Sequence, residues 1–214
     1  YFTLSNITNN SFIGNIGQDN GGAIHCISME GDIINNEIIG NATEFNGGGL
    51  YLQNGHYTIY KNIITNNYAG NNGGGLYGTI GTGEFSNNIV AYNTAGNEGG
   101  GLHTFLGANP AYNNLIYKNS AEISGGGIYI SNGQNTMINN TIVGNSANSK
   151  GGGIYITGWI NTFRNNLFWD NKQSNLTNIS GADLYSIDSS NIYHNNLLQI
   201  DSSLYTFPNY YLGA

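Results

Sequence analysis

A five-residue glycine signature returns every 26 residues along this chain. Gly21-Gly22-Ala23-Ile24-His25 is followed by Gly47-Gly48-Gly49-Leu50-Tyr51, then by copies beginning at Gly73, Gly99, Gly125 and Gly151. An altered seventh copy, Gly181-Ala182-Asp183-Leu184-Tyr185, comes 30 residues after the sixth. A period this strict means one structural unit stacked on copies of itself. The fold question therefore reduces to what a 26-residue unit can be.

Written in rows of 26, the sequence separates into columns. One column reads Ile7, Ile33, Ile59, Phe85, Ala111, Met137, Phe163 and Tyr193. A second, five residues on, reads Phe12, Ile38, Ile64, Val90, Ile116, Ile142, Phe168 and Leu198. A third, inside the glycine signature, reads Ile24, Leu50, Leu76, Leu102, Ile128, Ile154 and Leu184. Three apolar columns per period put three points of each turn on a shared interior.

Two further columns are asparagine. The first is Asn10, Asn36, Asn62, Asn88, Asn114, Asn140, Asn166 and Asn196. The second is Asn15, Asn41, Asn67, Asn93, Asn119, Asn145 and Asn171, ending in Asp201.

Helical hairpins do not explain these columns. Three consecutive glycines in each unit would cost a helix about 1 kcal/mol apiece relative to alanine. Short β-branched pieces such as Ile33-Ile34, Ile63-Ile64 and Ile128-Tyr129-Ile130, set off by Asn and Gly, read as strands of three to five residues. The unit is one coil of a parallel β-helix: an all-β solenoid of about eight coils, with three short strands in each.

Coils stack at the strand spacing of about 4.8 Å, which makes a rod of about 38 Å. At that spacing one carboxamide donates to the next, so each Asn column predicts a hydrogen-bond ladder. The two ladders mark two bends. The glycine column marks the third, where a positive φ or lack of room excludes a Cβ.

Repeats span residues 1–201, interrupted by an insertion at 172–180 that should bulge from one coil. Residues 202–214 lose the pattern and read as a partial coil or cap. The chain opens on Tyr1 already within the repeat, as a processed form or fragment would.

Composition narrows the function classes. Charged residues are 8% of the chain and Lys plus Arg number five, too few for the basic stripe that nucleic acid requires. No apolar run approaches the ~20 residues of a membrane-spanning helix, so direct membrane insertion by this segment is not expected. The 39 asparagines and scarce lysines suit an exported surface protein, extracellular or at the cell surface. The lone Cys26 cannot form an internal disulfide, and its strand parity turns it inward as a small apolar side chain.

The pattern resembles the right-handed parallel β-helix of the pectate-lyase-like superfamily, and right-handedness is what that resemblance implies. Phe12-Ile13-Gly14-Asn15 followed by Gly21-Gly22-Ala23-Ile24 is also similar to the repeat motifs of polymorphic outer-membrane proteins. Those are autotransported adhesins, so the resemblance implies a surface adhesin.

Chemistry on this fold uses carboxylate clusters on neighbouring coils. No column here carries carboxylates on adjacent rows. Asp32 and Glu84 share a column two coils apart with Thr58 between, and read as solvated bend residues. Glu98 and Lys150 are likewise separated by Ser124. His25, His56, His103 and His194 have no metal-ligand spacing. No catalytic residue, metal or cofactor is expected, and the chain reads as a non-enzyme.

The strongest candidate site is an outward ring column: His25, Tyr51, Tyr77, His103, Tyr129, Tyr155 and Tyr185. Such a stripe serves self-stacking, a protein or self-association interface, or stacking against a glycan. The partners expected are other copies of the protein or cell-surface ligands, with glycans among them. The leading reading is a rod-like adhesin, stalk or envelope component. The alternatives are a self-assembling extracellular filament subunit, and a carbohydrate-binding or polysaccharide-degrading β-helix whose active residues lie outside this segment. Of the glycosylation sequons, Asn41 falls in a ladder and should be unmodifiable, whereas Asn175 and Asn178 lie in the insertion.

Overall fold

The computed structural model describes residues 6–198 apart from 29, 80–82, 106–109, 133, 159, 175–181 and 188–189. Its strands lie in four parallel sheets. Sheet A opens with Ile7–Thr8, Glu30–Ile34 and His56–Tyr60, and sheet B with Ser11–Ile13, Glu37–Ile39 and Ile63–Thr65. Sheet C opens with Ile16–Gly17, Ala42–Thr43 and Tyr68–Ala69, and sheet D with Ile24–Ile27, Leu50–Gln53 and Leu76–Thr79. Sheets A and B hold eight strands, sheets C and D seven. The described residues thus make seven complete coils and half of an eighth. The register steps by one period at each pair, as in Ile64 beside Ile38 and Val90.

The sequence leads to three strands per coil; the structure adds a fourth. Sheet C consists of two-residue strands whose inward positions include Thr43, Ala69, Ala95, Ala121 and Ala147. These side chains are small, so their column does not stand out as apolar in the sequence, although all five are buried. A second inward column in sheet D, Cys26, Leu52, Ile130 and Ile156, also joins the core. Cys26 is a free, buried thiol, and burial raises its pKa.

Both asparagine columns form ladders. Asn62 Nδ2 donates to Asn88 Oδ1 at 3.1 Å, and Asn88 Nδ2 donates to Asn114 Oδ1 at 3.2 Å. The backbone N–H of Asn88 shares the Asn114 oxygen at 2.9 Å, and Nδ2 also reaches the carbonyl of Ile59 at 2.8 Å. Each carboxamide therefore ties three successive coils together. It also satisfies corner backbone groups that the sheets leave over. The second ladder repeats this through Asn67, Asn93 and Asn119 at 2.9 and 3.0 Å.

The left-handed backbone at these corners belongs to the preceding residue, not to the ladder asparagine itself. Asn9, Asn35, Lys61, Asn87 and Asn113 hold φ between 55° and 58° before the first ladder. Gly40, Asn66, Tyr92 and Lys118 hold φ between 52° and 65° before the second. In the glycine column the first position needs glycine for its positive φ as well as for room, and the third for room alone. Gly73, first in its triplet, has φ +68°, whereas a Cβ on Gly75, third in the triplet, would lie 2.6 Å from the carbonyl oxygen of Gly101.

A fourth corner, from sheet D to sheet A, places Ser28, Asn54, Asn132 and Gly158 at positive φ. These positions keep the 26-residue period, but the residue changes from Ser to Asn to Gly, so no clean column appears in the sequence.

The insertion starts later than the expected 172–180. Lys172–Gln173 pairs with Ser146–Ala147 as the last strand of sheet C, the Ser174 N–H donates to Ala147 O at 3.0 Å, and residues 175–180 of the insertion lie outside the described residues. So do Asp201, Gly181, Asn175, Asn178 and residues 202–214. Asn171 Nδ2 donates to Asp183 Oδ1 at 2.8 Å; the expected step from Asn171 to Asp201 lies outside the described residues.

Candidate functional site

The ring column lies on the outer face of sheet D, beside the corner leading from sheet C. His25 is exposed, but Tyr51, His103 and Tyr129 are buried, at 8%, 4% and 9% exposure. The expectation of a fully solvent-facing stripe is corrected here. The rings cover one another, and the C-to-D corner crowds their base. A Cβ on Gly99, for example, would sit 2.8 Å from the Cβ of His103.

Successive rings stack face to face. Tyr51 and Tyr77 have centroids 5.3 Å apart with planes 1° from parallel, and Tyr77–His103 and His103–Tyr129 follow at 4.8 and 4.7 Å. Tyr129–Tyr155 and Tyr155–Tyr185 continue at 5.2 and 5.4 Å, while His25 meets Tyr51 edge-on. These separations are the strand spacing plus a slight offset. Ring faces therefore point along the rod toward neighbouring rings, and edges and hydroxyls point sideways.

Charge enters this stripe at Glu98 and Lys150. Glu98 Oε2 lies 3.6 Å from His103 Nε2, and His103 Nδ1 is buried without a hydrogen-bond partner among the described residues. Lys150 Nζ sits 4.7 Å over the ring of Tyr185. Burial, reinforced by the neighbouring phenol of Tyr51 and by Glu98, pushes the Tyr77 hydroxyl above its usual pKa. Tyr129 is raised by burial first and Glu98 second, and Tyr51 by burial and then Asp19.

Glu98 also ends a third ladder that is absent from the sequence reading. Asn46 Nδ2 donates to Asn20 Oδ1 at 3.0 Å, and the N–H groups of Asn72 and Glu98 donate to Asn46 and Asn72 Oδ1 at 3.2 Å. Its donors point toward the first coil, opposite to the two main ladders. A fourth ladder runs from Asn135 through Asn161 to Asn191. The 26-residue spacing of Asn20, Asn46 and Asn72 is visible in the sequence, but Glu98 and Ser124 cut the column short. The Asn161–Asn191 step is masked by the insertion.

The other surface with chemical character is the outer face of sheet B. Ile63, Ile89 and Leu115 are exposed to nearly the same degree, 38%, 37% and 37%. Ile13, Trp169 and Leu197 extend the same face at 62%, 48% and 60%. Among the described residues no three His, Cys, Asp or Glu side chains converge on a point. Asp32 sits beside Thr58 on the outside of sheet A, and Glu98 and Lys150 flank Ser124 as expected. No helix of the described residues is long and apolar enough to cross a membrane.

No curated protein and no solved structure matches the chain. The model of the family described as the right-handed β-helix region matches residues 3–198, nearly the whole chain. That match supplies the hand of the solenoid, which agrees with the general handedness of parallel crossovers. With its parallel coils, inward apolar columns and stacked corner amides, this chain belongs to the right-handed β-helix family.

Proposed function

We propose that this chain is a non-catalytic, exported rod: an adhesin stalk or envelope component at the cell surface. One observation carries the reading. The two long amide ladders pass from coil to coil without a break, the first from Asn10 to Asn196 and the second from Asn15 to Asn171. A β-helix that hosts a reaction gives up some of its repeat to the reacting groups, whereas a spacer keeps every coil alike. The ring stripe fits this use as reinforcement, since its faces are spent on neighbouring rings. The test is turnover of pectin, alginate and related polymers by the purified chain. No product is expected, and measurable cleavage would overturn the reading.

A second reading, a laterally associating filament subunit, is favoured by the outer face of sheet B. The occupant would be a second copy presenting the same apolar strip. Seven steps of about 4.8 Å and a width of about 10 Å give a face near 340 Å² in projection, interrupted by Glu37 beside Ile63 and Thr141 beside Leu115. That is below the ~800 Å² per partner of a standard stable interface. Association through this face alone should therefore be weak and concentration-dependent. Sedimentation at rising concentration distinguishes the readings: a monomer throughout removes the filament, and assembly abolished by Ile89→Lys supports it.

A further inference from the structure

Two inward columns lose volume at the same height of the rod. In sheet D, Leu52 is followed by Gly78 and Thr104 before Ile130 restores a large side chain. In sheet A, Phe85 is followed by Ala111 before Met137. These small residues face one another across the interior and leave a cavity of about 90 Å³. A Cβ built on Gly78 would meet only Leu76 Cδ2, at 3.5 Å, so room and not backbone geometry separates Gly78 from its large neighbours. Neither Gly78 nor Thr104 is fully buried, although both stand in an inward column.

Leu52, Leu76, Ile130 and Met137 are among the apolar wall residues, and Thr104, Glu84 and Asn135 are the polar ones. An empty space of this kind is costly, because its lining forfeits dispersion contacts, and filling such gaps is ordinarily stabilising. Apolar cavities of about 150 Å³ stay dry and take benzene; at about 90 Å³ this one is smaller, so a single unsubstituted ring is the upper limit of its guest. The sequence itself offers simple fillings, since Phe85, Met137 and Leu52 occupy the adjacent rows of the same two columns.

We propose that this cavity is a binding site for a small apolar molecule no larger than one aromatic ring, with any hydroxyl directed to Thr104. The site is independent of the rod function proposed above. Hydroxyl-free guests are held by wall contacts alone, so benzene is a sufficient probe.

The experiment is methyl NMR of the whole chain titrated with benzene. The expected result is saturable shifts at Leu52, Leu76, Ile130 and Met137, with the remaining core methyls such as Ile38 and Ile142 unmoved. Ala111→Phe and Gly78→Leu, each of which fills the space, should abolish those shifts while leaving the melting temperature equal or higher. Absence of saturable shifts in the parent chain overturns the proposal, whatever the variants do. Shifts that persist in a folded filled variant overturn it equally.

Discussion

Replacing Asn88 with alanine removes one rung from the middle of the first ladder, and the cost follows from the partners left behind. The Asn88 side chain donates to Ile59 O at 2.8 Å and to Asn114 Oδ1 at 3.2 Å. Its Oδ1 accepts from Asn62 N–H at 2.9 Å and from Asn62 Nδ2 at 3.1 Å. Two of the four partners keep an alternative: Asn62 Nδ2 still reaches Ile33 O at 2.7 Å, and Asn114 Oδ1 still accepts the Asn88 N–H at 2.9 Å. A third, the Ile59 carbonyl, keeps the strand bond from the Ser86 N–H that its parallel register requires, so only the Asn62 N–H is stranded, in a region where Asn62 and Asn88 are each 1% exposed. At about 1–3 kcal/mol for one stranded buried group, Asn88→Ala should cost about 1–3 kcal/mol. Asn10 is the internal control. It begins the ladder, its side chain is exposed, and its donations to Thr8 O and Asn36 Oδ1 compete with water. Asn10→Ala should cost less than about 1 kcal/mol. Urea titration of both variants by circular dichroism measures the difference. If the two losses lie within about 0.5 kcal/mol of each other, the ladder does not stabilise the fold by satisfying buried backbone.

The glycine column separates steric from conformational need. A Cβ on Gly101 would lie 2.6 Å from Gly127 O and 3.1 Å from Asn119 Cγ, so Gly101→Ala should cost more than about 3 kcal/mol or prevent folding. Gly40 has φ +65° with open space around it, and Asn66 holds φ 57° one coil on. Gly40→Asn should therefore change stability by less than about 0.5 kcal/mol in the same melts. Alkaline pH tests the ring stripe. Folding raises the phenol pKa values of Tyr51, Tyr77 and Tyr129 above the ordinary 10.0, chiefly by burial. Their contribution to stability is complete below pH 10 and is lost as pH climbs through the folded values, because the unfolded chain ionises first. Ultraviolet titration should show late tyrosine ionisation coinciding with loss of β-structure; an ordinary titration near pH 10 in a chain that stays folded would contradict the stacked, buried placement.

The period, the inward columns and the two main ladders are legible in the sequence because a solenoid turns vertical neighbours into fixed sequence offsets. Asn62, Asn88 and Asn114 declare their contact by spacing alone. What stays hidden is whatever that offset does not encode. Ala69, Ala95 and Ala121 pack a fourth sheet, but their small side chains give no apolar signal. Parity on a strand assigns Tyr51 and Tyr129 to the outside, yet it cannot show that the next ring and the adjoining corner cover them. The polarity of the third ladder depends on which way Asn46 turns its amide, a choice with no sequence signature. The cavity lies between these cases. Gly78 and Ala111 are visible breaks in their columns, but only the closed coil shows that the two breaks face each other.

Excision of a repeat tests the stacked-coil account most directly. Removing residues 114–139 joins Asn113 to Asn140, which stands one 26-residue period above Asn114, and should leave a folded, cooperative chain one coil shorter. Removing only residues 114–126 leaves a half coil that cannot close. Circular dichroism and melting of the two products should show β-structure in the first and none or a broad collapse in the second. Unfolding of the whole-period deletion alongside a folded half-period deletion would contradict the account.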